Sequence, residues 1–273
     1  MRIRVSHEIT HRFTPPARML IQNLRLTPSN YDGQYIRGWR VSFDLDALLR
    51  QTADTHGNIL SSFSHHGSAL EKLVVTARGE VETSDSAGVV RGTVERLPTE
   101  MYLRENPLVH ANGALRAFAA DATIGAIDPL DTLHRLMSGL GEVMTFEPEK
   151  NDRPDSAAEA FALRKGQARD FAHVFIACAR HLNFPARYVS GYRARREADD
   201  EAGLHAWVEA HSPGLGWVAF DPTAGICADE TYVRVAVGFD GQDAALVRSY
   251  AGGVEDKIES AILIDQAGFQ TQS

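Results

Sequence analysis

Residues 1 to about 97 alternate between hydrophobic and polar side chains in short runs, the pattern of strands with one buried face. Turn-like segments separate the runs, among them Pro15-Pro16, Asp32-Gly33 and His66-Gly67. The predicted strands are 2–13, 20–27, 38–45, 58–63, 70–81 and 89–97. Their number and spacing predict an N-terminal antiparallel β module, built as a sandwich or a barrel.

After a connector with Pro98 and Pro107, the pattern changes to a helical repeat, with helices predicted at 115–122, 129–143 and 157–164. The best-defined helix follows Ala168. Its hydrophobic residues share one helix face: Phe171, Val174, Phe175, Cys178 and Leu182. Strands are predicted next, at 186–192, 205–211 and 217–221. We therefore expect an α+β chain with a β module at 1–97 and a core at 98–273, in which a central helix packs on an antiparallel sheet.

The last two of these strands are joined by a turn sequence, residues 212–216. If the strands pair symmetrically about Pro213, Trp207 faces Ala219 and His205 faces Asp221. Side chains that face each other on neighbouring strands have Cβ atoms about 4.5–5.5 Å apart. The sequence therefore predicts a hydrogen bond between the imidazole of His205 and the carboxylate of Asp221.

The composition excludes several kinds of partner. The chain has 273 residues, 44% hydrophobic and 23% charged, as in ordinary globular domains. Its formal net charge of −8 offers no basic excess for phosphates, so we expect no nucleic-acid partner. Residues 1–8 contain no long apolar stretch, so we expect no signal peptide, no membrane partner and a cytoplasmic location. The sequence makes no prediction of the oligomeric state.

No group of residues has the spacing of a metal or cofactor site, so we expect neither a metal nor a cofactor. Cys178 falls in the hydrophobic helix face and Cys227 in a loop-like segment, and both are predicted to be free thiols. The mixed-charge run 193–201 precedes His205. It predicts a solvated connection, with a lid over the site as the alternative.

Position 168 is suited to a nucleophile, because the N–H groups at the start of a helix favour a thiolate over a thiol. His205 and Asp221 have the residue types of a general base and the acid that orients it. Residue 168, however, is alanine. Its methyl group cannot ionise or form an acyl intermediate.

Four segments resemble the bacterial transglutaminase-like family of the papain-like cysteine hydrolase superfamily. Residues 166–173 are similar to its G-x-C-x-D-F-A-H motif, 184–192 to the segment that follows, 205–209 to its histidine strand and 216–223 to its aspartate strand. The resemblance implies a catalytic triad of position 168, His205 and Asp221, with the cysteine missing. It also implies a papain-like core and a partner protein or peptide with glutamine or other amide groups.

Three interpretations follow from Ala168. The first is a catalytically impaired protein that keeps its cleft, which we favour because Gln167 and Arg169 also differ from the residues expected beside the cysteine. The second is an active cysteine acyltransferase or peptidase whose natural cysteine at 168 has been replaced. The third is a binding or scaffolding protein that acts through residues 1–97. Cys178 lies too far along the helix to substitute, and Cys227 and Ser190 are weak candidates.

Overall fold

The computed structural model describes residues 1–45, 48–148, 156–195 and 202–266, so most of the mixed-charge run, 196–201, lies outside the described residues. The described strands are β1 (Arg2–Thr27), β2 (Gln34–Phe43), β3 (Arg50–Ala53), β4 (Ile59–Thr83), β5 (Val89–Val90), β6 (Thr145–Phe146), β7 (Lys165–Gly166), β8 (Ala186–Arg193), β9 (Gly203–Ser212), β10 (Gly216–Asp221), β11 (Ile226–Cys227), β12 (Tyr232–Gly238), β13 (Val247–Tyr250) and β14 (Glu255–Gln266). The helices are α1 (Gly113–Ala122), α2 (Pro129–Val143), α3 (Ala157–Leu163) and α4 (Ala168–His181).

The first sheet is antiparallel and is built on the long strands β1 and β4. β2 and β3 pair with β4, while β13 and β14 pair with β1. Alternate residues of the long strands, such as Ile3, Leu20 and Val75, are fully buried in one core. Val233 and Val235 of β12 belong to the same core, so it joins the first sheet to the second.

β1 and β4 each unite two segments that the sequence predicted as separate strands. The predicted break at Pro15-Pro16 is wrong, because the pairing of β1 with β4 shifts register between Arg12 and Ala17. Proline has no N–H to donate, and such an irregularity accommodates it within a strand. In β4 the chain likewise continues through His66, which pairs with Met19.

The predicted strand at 89–97 forms only at β5. Gly88 and Gly92 flank it with φ values of 78° and 76°, a left-handed conformation that interrupts a strand. β5 pairs with β10, so this segment belongs to the second sheet and not to the first.

The second sheet has the strand order β11-β10-β9-β8-β12, and α4 packs on one of its faces. Phe171, Val174, Phe175 and Cys178 are buried, as the helical pattern predicted. The structure thus confirms the expected fold class, an α+β chain with a central helix on an antiparallel sheet.

The other face of the second sheet holds a buried ionic cluster. Arg187 of β8 donates through Nε to Glu209 of β9 (2.7 Å) and through both Nη atoms to Glu95 (2.7 and 3.0 Å). Arg234 of β12 donates through Nε to the other oxygen of Glu209 (2.7 Å). Because the side chains of Arg187 and Glu209 are only 1% and 0% exposed, each charge depends on its partners.

The β9–β10 hairpin is displaced from the predicted register. Ser212 pairs with Gly216, so the hairpin is centred on Gly214 and not on Pro213. Gly214 has a φ of 81°, and the N–H of Leu215 donates to the carbonyl of Ser212. This is a turn with Pro213 and Gly214 at its corners.

The observed register also changes the partner of Asp221. The pairs continue to Val208 opposite Phe220, which places Trp207 next, opposite Asp221. The prediction that His205 faces Asp221 directly is therefore wrong, and the two residues are diagonal neighbours on the same side of the hairpin.

The two sheets do not correspond to two consecutive parts of the chain. β14 pairs with β1 from Ile3 to Thr14, although β14 follows the whole second sheet in sequence. The boundaries at 1–97 and 98–273 remain a prediction, to which the pairing adds that 247–266 complete the sheet of the N-terminal module.

Candidate functional site

Helix α4 begins at Ala168, the predicted nucleophile position. The N–H of Gln167 donates to Asp170 Oδ2 (2.8 Å), and Asp170 is only 2% exposed. A Cβ at Gly166 would lie 2.7 Å from the Cβ of Asp170, which explains the glycine there. The carboxylate of Asp170 therefore holds the backbone at the start of α4, and Ala168 lies in the first turn of this helix.

His205 and Asp221 form the predicted hydrogen bond despite the changed register. His205 Nε2 lies 2.7 Å from Asp221 Oδ2, with side chains 10% and 0% exposed. Diagonal neighbours on adjacent strands are about 7–8 Å apart at Cα, a distance that a histidine side chain can span. The bond to Asp221 engages Nε2 and leaves Nδ1 as the other nitrogen for proton transfer.

Asp221 has further donors that hold it as an anion. Tyr232 donates its hydroxyl to Oδ2 (2.7 Å), and Thr223 donates its hydroxyl (2.6 Å) and its N–H (2.9 Å) to Oδ1. Burial alone would raise the pKa of Asp221. The hydrogen bond and charge of His205, with the bonds from Thr223 and Tyr232, outweigh burial and lower the pKa to about 2.

Ala168 and His205 line the same open cavity, which has a volume of about 590 Å³. On the helix side, Gln167 and Arg169 flank the alanine. The cavity thus brings together the three predicted site residues, Ala168 and His205 in its lining and Asp221 buried behind the imidazole.

Two arginines line the cavity, Arg169 and Arg193, and its described lining residues include no Asp or Glu. Arg169 also forms an ion pair with Asp170 (Nε to Oδ1, 3.2 Å). The guanidinium of Arg193 lies 5.6 Å from the ring centroid of Tyr232. Its Nε is buried and has no hydrogen-bond partner among the described residues.

Two exposed hydrophobic side chains line the cavity. Phe146 is 43% exposed and Leu204 is 52% exposed. A cavity lined by apolar side chains with a few polar groups is typical of a site that takes a ligand with an apolar body and a polar group.

Neither cysteine belongs to the cavity lining. Burial raises the pKa of Cys178 to about 12. Burial and the charge of Asp85 raise the pKa of Cys227 to about 11, and its sulfur lies 4.0 Å from His134 Nε2. Both groups are thiols, not thiolates, at neutral pH.

Within the described ranges, no three or more His, Cys, Asp or Glu side chains are grouped so that they could hold a metal ion. None of the described helices is long and apolar enough to cross a membrane.

His65 lies outside the candidate site. Its Nε2 is 2.8 Å from the carbonyl oxygen of Ser68, three residues along the chain, so its imidazole makes a local hydrogen bond.

Sequence reasoning missed Tyr232, Arg193 and Thr223 as parts of the site. The pair Asp221 and Thr223, two residues apart after a strand, is typical of a side chain that closes a local turn, and this signal was available. No such signal was available for Tyr232, because every residue of β12 is buried. The sequence of this strand therefore has no alternation to show which side chains face the site.

Comparisons with known proteins agree with this architecture. The sequence profile of the transglutaminase-like superfamily matches residues 116–222, which include Ala168, His205 and Asp221. The profile of the bacterial transglutaminase-like N-terminal region matches residues 3–82. The chain thus has a transglutaminase-like core that follows a bacterial transglutaminase-like N-terminal region.

The relatives include uncharacterised proteins of two mycobacteria. The protein from Mycobacterium tuberculosis is 28% identical over 273 residues, which cover 90% of this chain and 86% of the relative. The one from Mycobacterium leprae is 26% identical over 264 residues, covering 92% and 94%. Among solved structures, a proposed cysteine protease from Cytophaga hutchinsonii has the same fold, with a TM-score of 0.77 and 18% identity over 98% of this chain and 92% of that one.

Proposed function

We propose that this chain is a catalytically inactive transglutaminase-like protein that retains a cleft for a protein or peptide with glutamine or other amide groups. One observation carries the proposal. Ala168 starts α4 in the cavity that also contains His205, whose bond to Asp221 is intact. A base and its orienting acid cannot transfer an acyl group without a nucleophile to accept it.

No other described residue replaces the missing thiol. Cys178 and Cys227 lie outside the cavity lining and have raised pKa values. Ser190 does line the cavity, but the described residues include no hydrogen bond between its hydroxyl and His205. A serine without a base in contact is a weak nucleophile.

The cleft supports the binding part of the proposal. A volume of about 590 Å³ can hold an amino-acid side chain with part of its backbone. Gln167, Ser190 and Thr223 add amide and hydroxyl groups to its lining. Such groups can both donate to and accept from a peptide amide.

The test is a direct search for turnover by the unmodified chain. Ammonia release from glutamine peptides, amine incorporation into protein and peptide hydrolysis are measured beside an active transglutaminase as the positive control. We expect no turnover together with measurable peptide binding. Turnover that disappears in His205→Ala would contradict the proposal, because it would require a nucleophile that uses this base.

A second candidate is an active cysteine acyltransferase or peptidase whose natural residue 168 is cysteine. The completeness of the pair favours it, since His205 Nε2 is held 2.7 Å from an Asp221 that accepts four further hydrogen bonds. The codon for residue 168 in the natural gene decides between the candidates. An alanine codon excludes the second, and a cysteine codon excludes the first.

A further inference from the structure

Two hydroxyl side chains of β8 line the cavity, Tyr188 and Ser190. They are two residues apart in an unbroken register with β9, so both side chains lie on the same side of the strand. Tyr188 belongs to the core between α4 and the second sheet, so this is the side that the helix covers. Both hydroxyl groups therefore lie on the helix side of the site, where α4 begins at Ala168.

The ring of Tyr188 is held in one place. The residue is 5% exposed, and its ring centroid lies 5.3 Å from that of the His173 imidazole. A Cβ at Gly241 would lie 3.2 Å from Cζ of Tyr188, so the ring also packs directly against this backbone. A hydroxyl group on a ring that is already fixed loses little conformational entropy when it binds a ligand.

The hydroxyl group of Tyr188 makes no hydrogen bond with any described residue, although a buried tyrosine usually has a partner for this group. The oxygen is not one of the fully buried atoms of the described residues that lack a partner, so part of its surface is open. The space that Tyr188 lines is the cavity. Ser190 likewise has no hydrogen-bond partner for its hydroxyl among the described residues. The cavity thus offers two hydroxyl groups whose hydrogen bonds a ligand can complete.

Tyr188 acts as a neutral group. Burial raises its pKa well above the ordinary value, although the charge of Arg169 lowers it. At neutral pH the hydroxyl therefore keeps its proton and can donate it in a hydrogen bond. Arg169 is itself paired with the buried Asp170 (Nε to Oδ1, 3.2 Å).

The side chains next to the hydroxyl groups leave room for a ligand. Ala206 of β9 faces Ser190 across the two strands, and both line the cavity. Ala168 lines it from the helix. Because both alanines end in a methyl group, a ligand side chain can enter between the helix and the strands and approach the hydroxyl groups.

We infer that the hydroxyl groups of Tyr188 and Ser190 bind the side-chain amide of a glutamine, with Tyr188 donating to its carbonyl oxygen and Ser190 accepting from its NH2 group. The inference rests on the proposed function, since it names the side chains through which the inactive cleft recognises its ligand. An amide has an acceptor and a donor group, and the two hydroxyl groups complete both. A hydrocarbon side chain of the same size would leave both hydroxyl groups without a partner, so the cleft discriminates against it.

The experiment is a double-mutant cycle between the protein and its ligand. The best binder is selected from a library of peptides with blocked termini and one central glutamine, and is remade with norleucine in place of glutamine. Calorimetry measures both peptides with the unmodified chain, Tyr188→Phe and Ser190→Ala. We expect the unmodified chain to bind the glutamine peptide at least about tenfold more tightly than the norleucine peptide. Tyr188→Phe should weaken glutamine binding about tenfold and norleucine binding less than about twofold, with a smaller effect of the same kind in Ser190→Ala.

Tyr192→Phe is the matched control. Tyr192 is a buried tyrosine of the same strand, but its hydroxyl group bonds to Nδ1 of His7 (2.9 Å), and it is not among the described lining residues of the cavity. This variant should keep the preference for glutamine and lower the free energy of unfolding. Tyr188→Phe should hardly change the free energy of unfolding of the free protein, because no described residue bonds to the hydroxyl group that it removes.

The outcomes separate the inference from the proposed function. A preference for glutamine that survives in both Tyr188→Phe and Ser190→Ala overturns the inference and leaves the inactive cleft standing. Equal losses of stability in Tyr188→Phe and Tyr192→Phe also overturn it, because the hydroxyl group of Tyr188 then has a partner within the chain. If the unmodified chain turns the glutamine peptide over, the proposed function fails, and the cycle still decides the inference. No binding of any peptide in the library overturns both.

Discussion

The candidate site has a strand side and a helix side, and the strand side is the more complete of the two. On the strand side, Asp221 accepts hydrogen bonds from His205, Tyr232 and Thr223. On the helix side, Asp170 still fixes the start of α4, but Ala168 offers only a methyl group. The strand side has a structural task as well as a chemical one, because Asp221 of β10 also holds side chains of β9 and β12 in place.

The largest effect on stability is expected in the buried ionic cluster of Arg187, Glu209 and Arg234, which lies on the same sheet as His205 and Asp221. Glu209→Ala leaves Arg187 and Arg234 without their shared partner, and we expect a loss of about 3–5 kcal/mol in the free energy of unfolding. Denaturant titration measures it. Glu259→Ala is the matched control, since that glutamate pairs with Lys257 on an exposed surface and should have little effect. Equal effects would mean that the cluster does not hold the strand side in place.

A smaller effect is expected at Asp221 itself. Its pKa of about 2 lies below the ordinary value of 3.8, so its ionised form stabilises the folded state above about pH 4. This contribution, about 2–3 kcal/mol, is lost as the pH falls from 4 toward 2. We therefore expect Asp221→Asn to be destabilising at pH 7 and much less so at pH 2.5, as measured by unfolding at both pH values. If Asp221→Asn lowers the free energy of unfolding equally at both pH values, the charge of Asp221 does not contribute to the stability of the folded protein.

The smallest effect is expected from Tyr232→Phe, which removes one hydroxyl from Asp221. One hydrogen bond to a charged acceptor that keeps its other donors contributes about 1.5 kcal/mol to stability. The effect should nearly vanish when the same change is made in Asp221→Asn, because the charged acceptor is then absent. If the stability losses of Tyr232→Phe and Asp221→Asn add, the hydroxyl of Tyr232 does not act through Asp221.

The sequence predicted elements whose burial is periodic. α2 occupies its predicted range, 129–143, and α4 buries its predicted face. β12 was missed because it is buried on both faces and shows no alternation. β14 was missed for the opposite reason, since most of its side chains are exposed and its structure depends on pairing with the distant β1.

Within the site, the sequence indicated His205 and Asp221 as partners, but through a strand register that the structure does not have. The turn could be centred on Pro213 or on Gly214, and the positive φ of Gly214 decided this. The two arginines of the cavity could not be predicted, because Arg193 occurs in a mixed-charge run, and only the fold brings it to the same space as Arg169.

A site that lacks only the thiol should activate a cysteine placed at position 168. The most direct measurement is the pH dependence of alkylation in Ala168→Cys, compared with Gly113→Cys, which starts helix α1 at an exposed position where a Cβ meets no neighbour. Both variants place a thiol at the start of a helix, but only the first has His205 in the same cavity. We expect an apparent pKa below about 7 at position 168, at least one unit lower than at position 113, and a return toward about 8.5 with His205→Ala. Equal pKa values at the two positions, unaffected by His205→Ala, would contradict it.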